Sequence, residues 1–241
     1  MMLLQSATPL ASLWRRSRMS FEESLICHAS PTLANIKVSN LYSFRFSSMA
    51  ECQRSIAYFN SMMNPKGIFI ELLKNDGDFY LIYVYRKARL RRELAKPGVR
   101  EFLGKLGYPI REAVNCFGRN TADRPADGPR DRIAGQPGNV LRDDSDIVLA
   151  YLEVLRRKVN TEKDFPHEIG VFLGYPLEDV KAFIATNGQN CTACGEWKVY
   201  HDEKSAQYIF CKYKHCKEIY MKVYCGGRKL SDMLVGDRAL S

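Results

Sequence analysis

Seven consecutive apolar residues, FYLIYVY at 79–85, commit this chain to a buried strand. β-Branched and aromatic side chains dominate the run, and its length suits a strand better than a helix. The preceding GIFIELL (67–73) has the same character, and Asn75-Asp76-Gly77-Asp78 between the two supplies a hairpin turn. Upstream, LYSFRF (41–46) reads as a further strand. MAECQRSIAYFNSMM (49–63) places Ile56, Phe59 and Met63 on one helical stripe, and Asn64-Pro65-Lys66-Gly67 reads as the turn that follows. This β-α-β-β order implies an α+β fold, a small mixed or antiparallel sheet with helices on one side.

The rest of the chain reads as mainly helical. Ser20 with Glu23 forms a capping box that opens a helix at MSFEESLICHA, and SPTLANIKVSN (30–40) reads as an irregular segment after it. Residues 86–94 continue as a helix that Pro97 breaks, and a short helix over 98–107 closes at Gly107. From Gly118 to Asp143 the chain is rich in Gly, Pro, Arg and Asp. That composition cannot offset its ordering entropy, so 118–143 is expected to be a disordered insertion. It separates a sheet-bearing part (20–107) from a helical, Cys-rich part (144–235) packed on the first. A helix is expected over 146–159.

With 241 residues, 46% of them hydrophobic, the chain suits one large domain or two small ones. No apolar run approaches the roughly 20 residues that a membrane-spanning helix needs. Residues 1–19 carry Arg15, Arg16 and Arg18 after the apolar part, the reverse of a secretory signal. They read as an extension, either disordered or lying ahead of a true start at Met19. The expected location is the cytoplasm, where the eight cysteines would be free thiols or metal ligands. The net charge of +9 permits an acidic partner. Its lysines and arginines form no row interleaved with aromatics, so solvated faces explain them better than nucleic acid does.

FPHEIGVFLGYPLEDVKAFI (165–184) reads as two short helices around a Gly-Tyr-Pro turn, with Pro166 and Pro176 suited to the two helix starts. Its apolar skeleton matches many helix-turn-helix units. However, the second helix opens on Glu178 and Asp179, which favour the helix dipole and oppose phosphate. His167-Glu168 is not the start of an H-E-x-x-H site, because position 171 is valine. Either residue reads as a ligand group or as a cap.

NCTACGEWKVYHDEKSAQYIFCKYKHC (190–216) carries C-x2-C followed by C-x3-H-C. If one helix runs from Asp202 to Tyr224, Cys211 and His215 lie about 40° apart and can share a metal, whereas Cys211 and Cys216 lie about 140° apart and cannot. The best quartet is then Cys191, Cys194, Cys211 and His215, for zinc or iron. Cys216 falls on the inward stripe with Ile209, Tyr213, Tyr220 and Val223. Buried free cysteines around Trp197, Tyr200 and Phe210 are the alternative without metal. Cys27 and His28, adjacent on a helix, point about 100° apart and make a poor nucleophile pair. Phosphate-cradling and nucleophile-elbow motifs are absent from the sequence.

SPTLANIK, LIYVYR, FPHEIGVFLGYPLEDVKAFI and GEWKVYHDEKSAQYIFCKYKHCKEIY, in that order, resemble the bacterial family known as domain of unknown function thirty-seven ninety-three, found mainly in anaerobes. The likeness spans roughly 20–107 and 144–235. Pro31, Arg86, His167, Glu168, Gly174, Tyr175, Pro176, Gly195, Trp197, Tyr200 and Cys216 match its pattern, while Cys194 and His215 lie outside that matched set. The resemblance brings no catalytic residue. It implies Arg86, His167, Glu168 and Tyr175 as the ligand-binding candidates. The expectation is a non-catalytic binding or regulatory protein linked to metal or redox state, with a protein or small molecule as partner. Two alternatives stay open: an enzyme using Arg86, His167 and Glu168, and a helix-turn-helix DNA-binding protein.

Overall fold

Ser20 opens the first helix as its capping-box pattern predicts. In the computed structural model, which describes residues 19–77, 79–109 and 144–237, its hydroxyl accepts from Glu23 N at 3.2 Å, and its own N–H donates to the Glu23 carboxylate at 2.7 Å. The expectations for residues 1–18 and for the 118–143 insertion lie outside the described residues. Helix α1 covers Phe21–Leu33 and runs through Pro31, where the sequence suggests irregular chain. Proline has no N–H to give Cys27 O, and it sits in the last turn, where the helix is about to end. The Ser30 hydroxyl donates to Ile26 O, and Ile36 and Lys37 N–H both close on Pro31 O at 3.0 Å.

Strand β1 (Ser39–Phe44), helix α2 (Met49–Met63), strand β2 (Ile68–Asp76) and strand β3 (Phe79–Arg86) follow. The first strand begins two residues earlier than LYSFRF suggests. It pairs antiparallel with β3 from Ser39 opposite Tyr85 to Phe44 opposite Tyr80. The β2–β3 hairpin closes with Asp76 opposite Phe79, and Gly77 takes φ +67°. The sheet order is β1-β3-β2, so FYLIYVY is the central strand.

That position explains the unbroken apolar run. Tyr80, Ile82 and Val84 face a core with Leu25, Ile26 and Leu33 of α1 and Phe59 and Met63 of α2. Tyr83 and Tyr85 face the opposite core. There they meet α3 (Lys87–Leu94), α4 (Pro97–Lys105), α5 (Asp144–Thr161), α6 (Ile169–Phe172) and α7 (Leu177–Ala185). The β-α-β-β piece carries α1 and α2 on one face, and α3 to α7 cover the other. The sheet is thus a middle layer buried on both sides.

A short ribbon, β4 (Ala193–Cys194) and β5 (Lys198–Val199), leads into α8 (Glu203–Cys225). Asp202 caps α8 through Ser205 N at 3.1 Å, and the helix runs unbroken for 23 residues, the condition on which the expected directions of its thiols depend. Its C-terminal half lies on the first core through Tyr220, Met221, Val223 and Tyr224. Leu230, Met233 and Leu234 return the chain to that core. No helix among the described residues is long and apolar enough to cross a membrane.

His28 gives this layer a pH dependence. Its ring stacks on Tyr42 with centroids 4.8 Å apart, and burial, then the Lys217 charge, pushes its pKa from 6.5 down to about 4. A folded value below the unfolded one means stability that is complete above pH 6.5 and is lost as the pH falls toward 4. Urea midpoints should fall across that window, and fall less for His28→Gln. An equal fall in both proteins would assign the loss to other groups.

Candidate functional site

Arg86 ends β3 and is fully buried. Its guanidinium donates to the carbonyls of Thr32 (2.6 Å), Leu33 (2.7 Å), Val235 and Lys66, and to the Asp237 carboxylate at 2.9 Å. Two of these carbonyls terminate α1, where a cation also offsets the helix dipole. Burial lowers the pKa of Arg86, and the Asp237 contact works against that. A Cβ on Gly67 (φ +79°) would lie 2.2 Å from Asp237 Oδ2, so only glycine leaves room for that carboxylate. Arg86 is therefore a clamp joining helix, sheet and C-terminal segment.

The 165–184 stretch folds as a corner of one-turn α6 and two-turn α7. Pro166 sits ahead of α6, whose first residue is Ile169, and Pro176 is the residue before α7 begins, each slightly outside the helix start its ring suits. Gly174 turns the corner at φ +77°, and a Cβ there would lie 2.7 Å from Val38 Cγ2. His167 is exposed, with its ring edge against Phe183 at 5.0 Å. Glu168 precedes α6 without making a side-chain cap. Its buried carboxylate accepts from Tyr108 Oη (3.2 Å) and pairs with Lys158 (3.0 Å). Burial pulls the Lys158 pKa down, but Glu168 and Glu162 outweigh it and raise the value. Arg86, His167 and Glu168 thus have separate sets of partners, and the structure does not join them in one cleft.

Tyr175 does meet a solvent-facing groove. The groove holds about 440 Å³ and is lined by Glu93, Lys96, Val99, Tyr175, Pro176 and Leu177, among others. On its other side the Tyr175 ring stacks on Trp197 at 5.2 Å. The buried Lys37 ammonium lies 5.6 Å from the Tyr175 ring and 5.1 Å from that of Tyr213, and pairs with Glu196 at 2.8 Å.

Asp179 holds this assembly together. It is buried in the first turn of α7 and accepts from Trp197 Nε1 (2.8 Å), Tyr200 N (3.0 Å), His201 N (3.2 Å) and His201 Nδ1 (3.0 Å). A carboxylate offers only acceptors, so Nδ1 carries the His201 proton. The acidic turn of α7 is therefore partly an internal tether, and Glu178 is paired with Lys181 at 2.9 Å. Sequence reasoning missed Asp179, Lys37 and Glu196. The available signal was Trp197, an indole N–H placed among apolar residues, which demands a buried acceptor nearby.

The ribbon so held carries two thiols. Cys191 Sγ and Cys194 Sγ are 3.4 Å apart, Cys191 half-buried and Cys194 exposed. Lys198 lies opposite Cys194 in the ribbon and donates to Gly188 O at 2.6 Å. The contact with Cys191, then burial, raises the Cys194 pKa, with Lys198 pulling the other way. A Cβ on Gly195 would lie 2.3 Å from the Phe210 ring, so the ribbon turn rests flat on α8. Cys211 and His215 are exposed on α8. The Cys191, Cys194, Cys211, His215 quartet is not assembled: among the described residues, no group of three or more His, Cys, Asp or Glu could hold a metal ion. Unbroken winding of α8 aligns its two ligands with each other, yet the ribbon brings only its own pair together. Cys216 is half-buried, and burial pushes it up to about 11.

The family model described as Protein of unknown function (DUF3793) matches residues 25–122 and 141–234. The chain belongs to this family. The DUF3793 match is interrupted inside the 118–143 tract and includes Lys37, Asp179, the ribbon and α8. No curated protein and no solved structure matches the chain.

Proposed function

We propose that this is a non-catalytic binding or regulatory protein whose state is set at the Cys191–Cys194 dithiol, by redox change or by a thiophilic metal. The 3.4 Å sulfur separation carries the reading. Two sulfurs on one tetrahedral metal, each about 2.3 Å from it, lie about 3.8 Å apart, so a small opening of this pair lets it grip one ion. A small closing of the pair makes a disulfide instead, with sulfurs about 2.05 Å apart. In the metal-bound form, zinc or iron would take its remaining ligands from water, small molecules or a partner protein.

The placement of the pair supports a regulatory role. Cys194 is followed by Gly195 against Phe210, Glu196 paired with Lys37, and Trp197 on Asp179 and Tyr175. A change at the thiols therefore begins one to three residues from groups that reach α7, α8 and the Tyr175 groove. Thermal unfolding of the reduced protein with zinc, and of the protein treated with diamide, tests this. The melting temperature should shift in at least one condition, and the shift should vanish in the Cys191→Ser, Cys194→Ser double variant. Unchanged melting in both conditions would overturn the proposal.

A further inference from the structure

We infer that Cys191 and Cys194 form a thiol–disulfide exchange site that takes small anionic disulfides of the glutathione class as oxidant, with Cys194 reacting first and Cys191 resolving. This deepens the reading of the pair as the responsive element and rests on it.

The order of attack comes from exposure and distance. Cys194 is exposed at the ribbon end, whereas Cys191 is half-buried with its sulfur 3.4 Å behind. The Cys194 thiolate attacks one sulfur of the incoming disulfide. A protein–ligand S–S bond forms, the ligand's own S–S bond breaks, and one ligand thiolate leaves. The Cys191 thiolate then attacks Cys194 Sγ, the intramolecular disulfide forms, and the second ligand thiolate leaves. The protein loses two electrons and two protons, and one disulfide becomes two thiols.

The charge preference comes from Lys198. It lies opposite Cys194 in the ribbon; its ammonium donates to Gly188 O and lies 5.8 Å from the Phe183 ring centroid, and one carbonyl takes only one of its three N–H donors, so a ligand carboxylate can take another. The Asp179 tether keeps the ribbon in place, and the four-residue C-x-x-C loop needs no refolding to close.

The test incubates the full chain with glutathione disulfide and reads intact mass and peptide maps. In wild type the segment holding Cys191 and Cys194 should become about 2 Da lighter, with the two joined and no stable adduct on either. Cys191→Ser should accumulate one glutathione adduct on Cys194. Cys194→Ser should react several-fold more slowly. Glutathione disulfide should outpace cystamine, a cationic disulfide, and Lys198→Met should narrow that gap. Wild type in which Cys191 and Cys194 stay a dithiol, or in which Cys194 keeps a stable adduct, overturns the exchange site, and equal rates for the two disulfides overturn the anion preference. A zinc-induced melting shift without exchange would remove this inference alone, whereas the loss of both responses removes the broader proposal too.

Discussion

Arg86→Met should lower the unfolding free energy by about 4 kcal/mol, read as a fall in the urea midpoint at pH 7, because it strips a buried charge centre of its donors. The aliphatic part of the side chain is retained, so little packing volume changes. The carbonyls of Thr32, Leu33, Val235 and Lys66 lose a donor, and Asp237 loses its cation. Buried acceptors left without partners each cost about 1–3 kcal/mol, though adjoining groups relax and the costs do not add. Arg86→Lys keeps the charge, but one ammonium cannot reproduce a planar fork spread over five acceptors, so most of the loss should remain. Asp237→Asn removes only the ionic partner and should cost less, which keeps the comparison readable if Arg86→Met fails to fold. A loss below about 1 kcal/mol for Arg86→Met would mean that water replaces the guanidinium, and the clamp would not be structural.

Much of this architecture was legible in the residues. The Ser20 capping box, the Ile56–Phe59–Met63 stripe, the Gly77 hairpin and the uninterrupted α8 all follow from local spacing, and local spacing is what a sequence displays. Long-range pairing is less visible. FYLIYVY announced a buried strand, but its central place between β1 and β2 depends on pairing with residues up to 46 positions away in β1, from Ser39 to Tyr85. SPTLANIKVSN reads as irregular around Pro31, whose missing N–H is a local fact, whereas the bonds from Ile36 and Lys37 N–H to Pro31 O that close the helix end come from later chain. The site divided along the same line. Cys191 and Cys194 lie three residues apart, so the C-x-x-C spacing was enough to pair them. Arg86, His167 and Glu168 were polar residues within matched motifs, and nothing local could say that each already had its own partners. Asp179 read as a dipole complement to α7 until the ribbon, some twenty residues later, supplied four donors.

Those four donors make Asp179→Asn the sharper functional test. The amide keeps the shape but replaces one acceptor oxygen with an NH2 group. That group must face either the Trp197 indole N–H or the donors of Tyr200 and His201, so one side becomes donor against donor. The expected cost is about 2–4 kcal/mol, concentrated on the ribbon because the donors all belong to residues 197–201. Hydrogen exchange should therefore accelerate at the Tyr200 and His201 amides, while β3 amides between the two cores keep most of their protection. Trp197 emission should shift to the red as its ring leaves Tyr175 and Phe210. If the tether also holds the thiols in register, closure of the Cys191–Cys194 disulfide should slow in the same variant while Cys194 stays reactive toward a simple alkylating agent. Unchanged exchange at Tyr200 and His201 would show that the ribbon is held by aromatic packing alone, and the link from α7 to the dithiol would then be lost.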